Sequence, residues 1–88
     1  MKNDKHIDIV LSLPCDVDVE LVKKKIISIM QKDVRTLKCR RVLVKISESR
    51  DYNLSFMARL WVSREDYWEL RYDLIQEFKK ELTIENIV

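Results

Sequence analysis

The 88-residue chain contains no glycine, and this limits its architecture more than any other single feature. Glycine takes positive φ without steric cost, so two-residue hairpin turns are disfavoured here and longer loops are expected. The phosphate-cradling loops of P-loop and dinucleotide-binding proteins need glycine for close backbone approach, and neither can be built. One histidine and two cysteines are too few for an ordinary structural zinc site. A conventional small enzyme is disfavoured from the outset.

With 47% hydrophobic and 36% charged residues, the chain reads as one compact domain rather than a disordered segment. At this length folding buries roughly 60–65% of the unfolded surface, which allows one modest core. Its longest uncharged stretches, such as residues 9–15, run to seven residues, far short of the roughly 18 that a membrane-spanning helix needs. Lys2 and Lys5 before an apolar run ending at Cys15 resemble a lipoprotein signal only superficially. Asp8 interrupts that run, and Pro14 stands where a small residue should precede the cysteine.

Residues 6–13 alternate strictly, with Ile7, Ile9, Leu11 and Leu13 on one face and His6, Asp8, Val10 and Ser12 on the other. Period two predicts a half-buried strand, and Pro14 ends it because it has no amide hydrogen to donate. Asp16 and Asp18 suit the start of a helix over 19–32, whose stripe is Val19, Val22, Ile26, Ile29 and Met30. After a polar connection over 33–38, a second strand is expected over 39–46. Val42, Val44 and Ile46 occupy one face and Arg41, Leu43 and Lys45 the other.

A loop over 47–51 leads to a third strand over 52–62, with Leu54, Phe56, Ala58, Leu60 and Val62 inward. Asn53, Ser55, Met57, Arg59 and Trp61 face outward. Ser63 and Asp66 approximate a capping box for a helix that places Tyr67, Leu70, Leu74, Phe78 and Leu82 inward. Trp68, Tyr72 and Ile75 form a second stripe. Residues 83–88 are expected to begin a short final strand.

The order β-α-β-β-α-β, with one richly apolar face per strand, predicts an α+β sandwich of ferredoxin-like type. Both helices lie on one side of the sheet, and the third strand inserts between the first two. Cys15 and Cys39 then sit at opposite ends of parallel strands, roughly 25 Å apart. That is beyond disulfide reach, so both are expected as free thiols.

No catalytic or metal-binding constellation can be assembled. His6 beside Asp8 reads as a surface histidine, since a working base needs an enclosed partner. Asp16, Asp18 and Glu20 lack the ligand number and the glycine of a calcium loop. No cofactor is expected.

Residues 21–50 carry ten basic and two acidic side chains, with Lys23, Lys24, Lys25, Arg40, Arg41 and Lys45 as a candidate basic surface. Such a block suits an anionic ligand, RNA or lipid. The block better suits a solvated helix face beside an edge strand guarded against aggregation. Stacking of RNA on the sheet is not expected, because Trp61 is the sole outward aromatic and the glycine-aromatic signature is absent. The outward face is nonetheless apolar. Val10, Leu43, Met57 and Trp61, with Arg59 among them, are expected to form one patch of the kind that marks an interface. Trp68 and Tyr72 are a second candidate contact.

The run 56–62 (Phe-Met-Ala-Arg-Leu-Trp-Val), then Asp66-Tyr67-Trp68-Glu69-Leu70 and the amphipathic 73–79, resembles the C-terminal cytoplasmic α/β domain of the small-conductance mechanosensitive channel family. Asp16-x-Asp18 and the strand 41–45 agree with it. The family usually has a glycine in the turn where this chain has 47–51, and often another after the last helix. The resemblance implies a non-catalytic fragment of a longer membrane channel that opens under tension and releases solutes during osmotic downshock. Such domains assemble, usually as heptamers, into a cage on the cytoplasmic side of the inner membrane. Contact with the membrane is left to segments outside these 88 residues. The runner-up reading is a free-standing ferredoxin-like module that binds an anionic ligand or RNA through its basic middle.

Overall fold

A computed structural model describes residues 4–48 and 52–82. Three strands, β1 (Asp4–Pro14), β2 (Leu43–Glu48) and β3 (Asn53–Ser63), form a sheet of order β1-β3-β2 with both pairings antiparallel. Two helices, α1 (Val19–Lys32) and α2 (Tyr67–Leu82), complete an α+β arrangement. As expected, β3 inserts between β1 and β2. The short strand expected over 83–88 falls outside the described residues.

The alternation of β1 and β3 translates directly into layers. Their register is unbroken from Asp4↔Ser63 to Pro14↔Asn53, so opposed residues share a face. Ile7, Ile9, Leu11, Leu13, Phe56, Ala58, Leu60 and Val62 are all buried beneath Ile26, Ile29 and Met30 of α1 and Leu70, Leu74 and Phe78 of α2. Helix α1 lies against β2 and β3, and α2 lies against β1. That placement separates the two ends of the sequence's charge distribution.

Helix α1 starts and stops where its residues predict. The Asp18 carboxylate accepts a hydrogen bond from the Leu21 amide at 3.2 Å, satisfying one of the free donors of the first turn. Lys32 stands in the last turn, and Asp33 is extended. The expected Ser63 cap differs. The Ser63 side chain makes no capping hydrogen bond, and one 3-10 turn, Arg64–Asp66, precedes α2 instead.

Strand β2 begins four residues later than the sequence pattern predicts. The reason lies in the segment before it. Thr36 bridges Val62, and the Leu37 amide donates to the Trp61 carbonyl at 2.9 Å. The chain leaving α1 therefore already occupies that stretch of the β3 edge, and β2 pairs only from Leu43↔Arg59 to Glu48↔Leu54. As an outer strand it buries less: Val44, like Val42 just before the strand, is half-buried against the core, and Ile46 is exposed.

The missing glycine leaves a mark at Tyr52, which enters β3 with φ of 60°. A bulky L-residue in the left-handed region costs about 1–2 kcal/mol. The Tyr52 carbonyl accepts from the Cys15 amide at 3.0 Å, which fastens this corner to the end of β1. Both cysteines are free and exposed.

Candidate functional site: the open face of the sheet and its surroundings

The sheet face turned away from the helices carries the residues singled out for contact. The register arranges them in rows: His6 opposite Trp61, then Asp8, Arg59 and Leu43, then Val10, Met57 and Lys45, then Ser12, Ser55 and Ser47. The Arg59 guanidinium donates to both Asp8 oxygens, from Nε at 2.7 Å and from Nη2 at 3.1 Å. His6 Nδ1 lies 3.2 Å from the same carboxylate. Hydrogen bonding from Arg59 holds the Asp8 carboxyl below its usual range, against the opposing effect of its partial burial.

The expected single apolar patch is therefore divided. The Asp8–Arg59 pair crosses the face between Trp61 on one side and Val10 with Met57 on the other, and Leu43 sits in the row of the pair itself. Trp61 is already engaged within the chain. Arg40 stacks over its ring at 4.2 Å, and the His6 ring meets it edge-on at 5.1 Å. Arg40 Nε also lies 3.7 Å from Asp4.

On α2, Trp68 and Tyr72 stand one turn apart and are 74% and 64% exposed. Tyr67 packs edge-on against Trp68 at 4.9 Å and holds Lys5 over its own ring at 4.4 Å. The third member of the expected stripe does not join them. Ile75 is half-buried against the core, because at about 100° per residue it lies beside Leu82 and Phe78 on the inward side of α2.

The basic residues do not form one surface either. Lys23, Lys24 and Lys25 ride on α1 in the helical layer, whereas Lys45, paired with Met57, lies on the open face. Arg40 is turned onto Trp61. Arg41 is exposed beside a groove of about 360 Å³ between α1 and the segment leading into β2.

Sequence reasoning took residues 33–38 for a plain polar connection, and the structure makes them a clamp. Arg35 donates to Asp33 from Nε at 3.0 Å and Nη2 at 2.9 Å, and from Nη2 to Asp73 of α2 at 2.9 Å. The Asp33 carboxylate also accepts from the Arg35 amide at 2.9 Å. These bonds hold the Asp33 carboxyl below, and the Arg35 guanidinium above, their ordinary ranges. The buried Thr36 hydroxyl donates to the Met30 carbonyl at 2.6 Å, taking up one of the last carbonyls of α1. An aspartate two residues before an arginine at a helix end was the available local signal; Asp73 left none. Among the described residues, no group of histidine, cysteine or acidic side chains is placed to hold a metal ion. No described helix is long and apolar enough to cross a membrane.

The fold is thus an α+β domain with two helices packed on one face of a three-stranded antiparallel sheet. Residues 7–88 match the family model for the C-terminal part of the mechanosensitive ion channel MscS, and the chain belongs to that family. It is 31% identical over 83 residues to a small-conductance mechanosensitive channel of Edwardsiella ictaluri, covering 94% of this chain and 29% of the relative. An uncharacterised MscS-family protein of Buchnera aphidicola from Acyrthosiphon pisum is 32% identical over 80 residues, covering 91% and 26%. The crystal structure of Helicobacter pylori MscS in the closed state superposes with a TM-score of 0.83 at 25% identity, covering 98% of this chain and 34% of that one. The chain therefore spans between about a quarter and a third of the proteins it matches.

Proposed function

We propose that these 88 residues are a non-catalytic domain of a mechanosensitive channel, lying on the cytoplasmic side of the inner membrane. There it forms part of the wall of an oligomeric cage through which solutes leave during osmotic downshock. The observation that carries this reading is the family match over residues 7–88 together with the TM-score of 0.83 to a closed-state channel. A ring of seven copies is the assembly that the family resemblance implies. Tension sensing belongs to membrane segments elsewhere in a longer polypeptide, of which this chain is a fragment.

Val10, Leu43 and Met57, with Trp61 across the Asp8–Arg59 pair, are the proposed contact with a neighbouring subunit or domain. They are apolar groups on a sheet face that no described helix covers, and such groups favour burial. Sequencing the reading frame on both sides of this segment tests the channel reading. Apolar stretches of about 18 residues or more upstream are expected. Their absence, with a stop codon directly after Val88, overturns it. Within the longer polypeptide, Trp61→Ser is expected to reduce assembly as read by native mass. Unchanged assembly would remove Trp61 from the contact.

A further inference from the structure

We propose that copies of this domain dock head to tail, the aromatic face of α2 from one copy seating in the groove between α1 and residues 37–42 of the next. The inference rests on the cage reading and names the surfaces by which neighbouring copies meet.

Charge is segregated across the width of the sheet. Residues 19–48, which make α1, the clamp and β2, carry nine basic and three acidic side chains. The other described residues carry six basic and ten acidic. Because α1 covers the β2 side and α2 the β1 side, the positive and negative poles lie at opposite edges. Like poles repel and unlike poles attract, so pairing through one shared patch is opposed while edge-to-edge repetition is favoured. A contact between two different patches repeats from copy to copy and closes into a ring where the rotation permits.

Each pole carries a matching shape. The groove at the positive pole has a volume of about 360 Å³, a floor of half-buried Ile27, Leu37 and Val42, and a rim of Lys38 and Arg41, with Arg40 beside them turned onto Trp61. The negative pole presents Trp68 and Tyr72, 74% and 64% exposed, flanked by exposed Glu65 and Glu69. Rings buried on an apolar floor leave these carboxylates against the basic rim, and guanidinium groups sit favourably over such rings. Among the described residues no large apolar side chain fills the groove and none covers Trp68 and Tyr72; each surface supplies what the other wants.

The free thiol of Cys39, exposed beside the groove, makes the contact directly testable. In the 88-residue chain carrying Cys15→Ser and Gln76→Cys, one thiol marks each pole and both carboxylates and both rings remain. A short bismaleimide is expected to give a ladder of dimers, trimers and larger species. Adding Arg41→Glu or Glu69→Arg is expected to lower the yield of trimers and above by about tenfold. Mixing the two charge-reversed proteins restores it, since each then offers the pole that the other lacks. Dimers alone, or a ladder indifferent to both reversals, overturns the head-to-tail contact. If that happens while assembly of the longer polypeptide still depends on Trp61, the cage reading stands and only the docking surfaces are wrong.

Discussion

The two faces of the sheet are built from alternate residues of the same strands, yet they are held together by different physics. On the inner face Ile7, Ile9, Leu11, Phe56, Ala58, Leu60 and Val62 are each no more than 1% exposed, and removal of apolar surface from water is their whole contribution. On the open face His6, Asp8, Arg59 and Trp61 are partly wet and joined pair by pair through hydrogen bonds and ring contacts. Pairs of that kind contribute little to stability where solvent screens them. They fix which side chains stand where. The inner face makes the domain fold, and the open face decides what the folded domain presents.

Adjacent residues of β3 give the strongest way to break this contrast. Phe56→Ala, on the inner face, is expected to cost about 3–5 kcal/mol, as is Phe78→Ala beneath it on α2. Met57→Ala, one residue away on the open face, is expected to cost under about 1 kcal/mol. Urea melts of the three proteins decide it. Equal losses at positions 56 and 57 would mean that the open face is covered in solution.

A smaller loss is expected where a polar group lies in the inner layer. Thr36→Val keeps the shape but strips the Met30 carbonyl of its donor, for about 1–2 kcal/mol. A neutral result would show that water replaces the hydroxyl there. Tyr52→Gly goes the other way. It relieves the left-handed backbone and is expected to raise the thermal midpoint by an amount equivalent to about 1 kcal/mol. A drop in the midpoint would mean that the tyrosine ring holds the corner and outweighs its backbone cost.

The smallest effect belongs to the ion pairs of the open face and of the clamp. Asp8 and Asp33 have folded-state pKa values below their unfolded ones. Their contribution is therefore present above the unfolded value of about 4 and lost as pH falls through the depressed one. Stability from these groups is expected to be level between about pH 7 and 5 and to decline below about 4. Arg59→Gln should flatten part of that decline while changing stability little at neutral pH. An acid limb unchanged by Arg59→Gln would show that the pair does not persist in solution.

Local rules made the inner layer legible. Period-two spacing picked out each buried residue of β1, and helical spacing together with Asp18 set both ends of α1. The same rules failed wherever a contact joined distant segments. The start of β2 was displaced because Thr36 and Leu37 claim the β3 edge, and nothing in the sequence around 39–46 announces that competition. Ser63 looks like a cap and makes no capping bond, since the chain turns once before α2 begins. The groove beside α1 was equally invisible, because its floor comes from an α1 residue and two residues of the loop that follows.

What the sequence by itself determined is the inner layer: which residues are apolar, at which period, and hence which elements form and which face each one buries. Burial depends on a residue's own chemistry and its spacing, and both are written locally. The tertiary structure decided the rest. Arg35 reaches an aspartate 38 positions away and Arg59 one 51 positions away. Each pairing depends on a direction and a distance that exist only after the layers have packed. The same packing carries the basic middle of the chain to one edge and α2 to the other, turning a run of charges into two opposed poles.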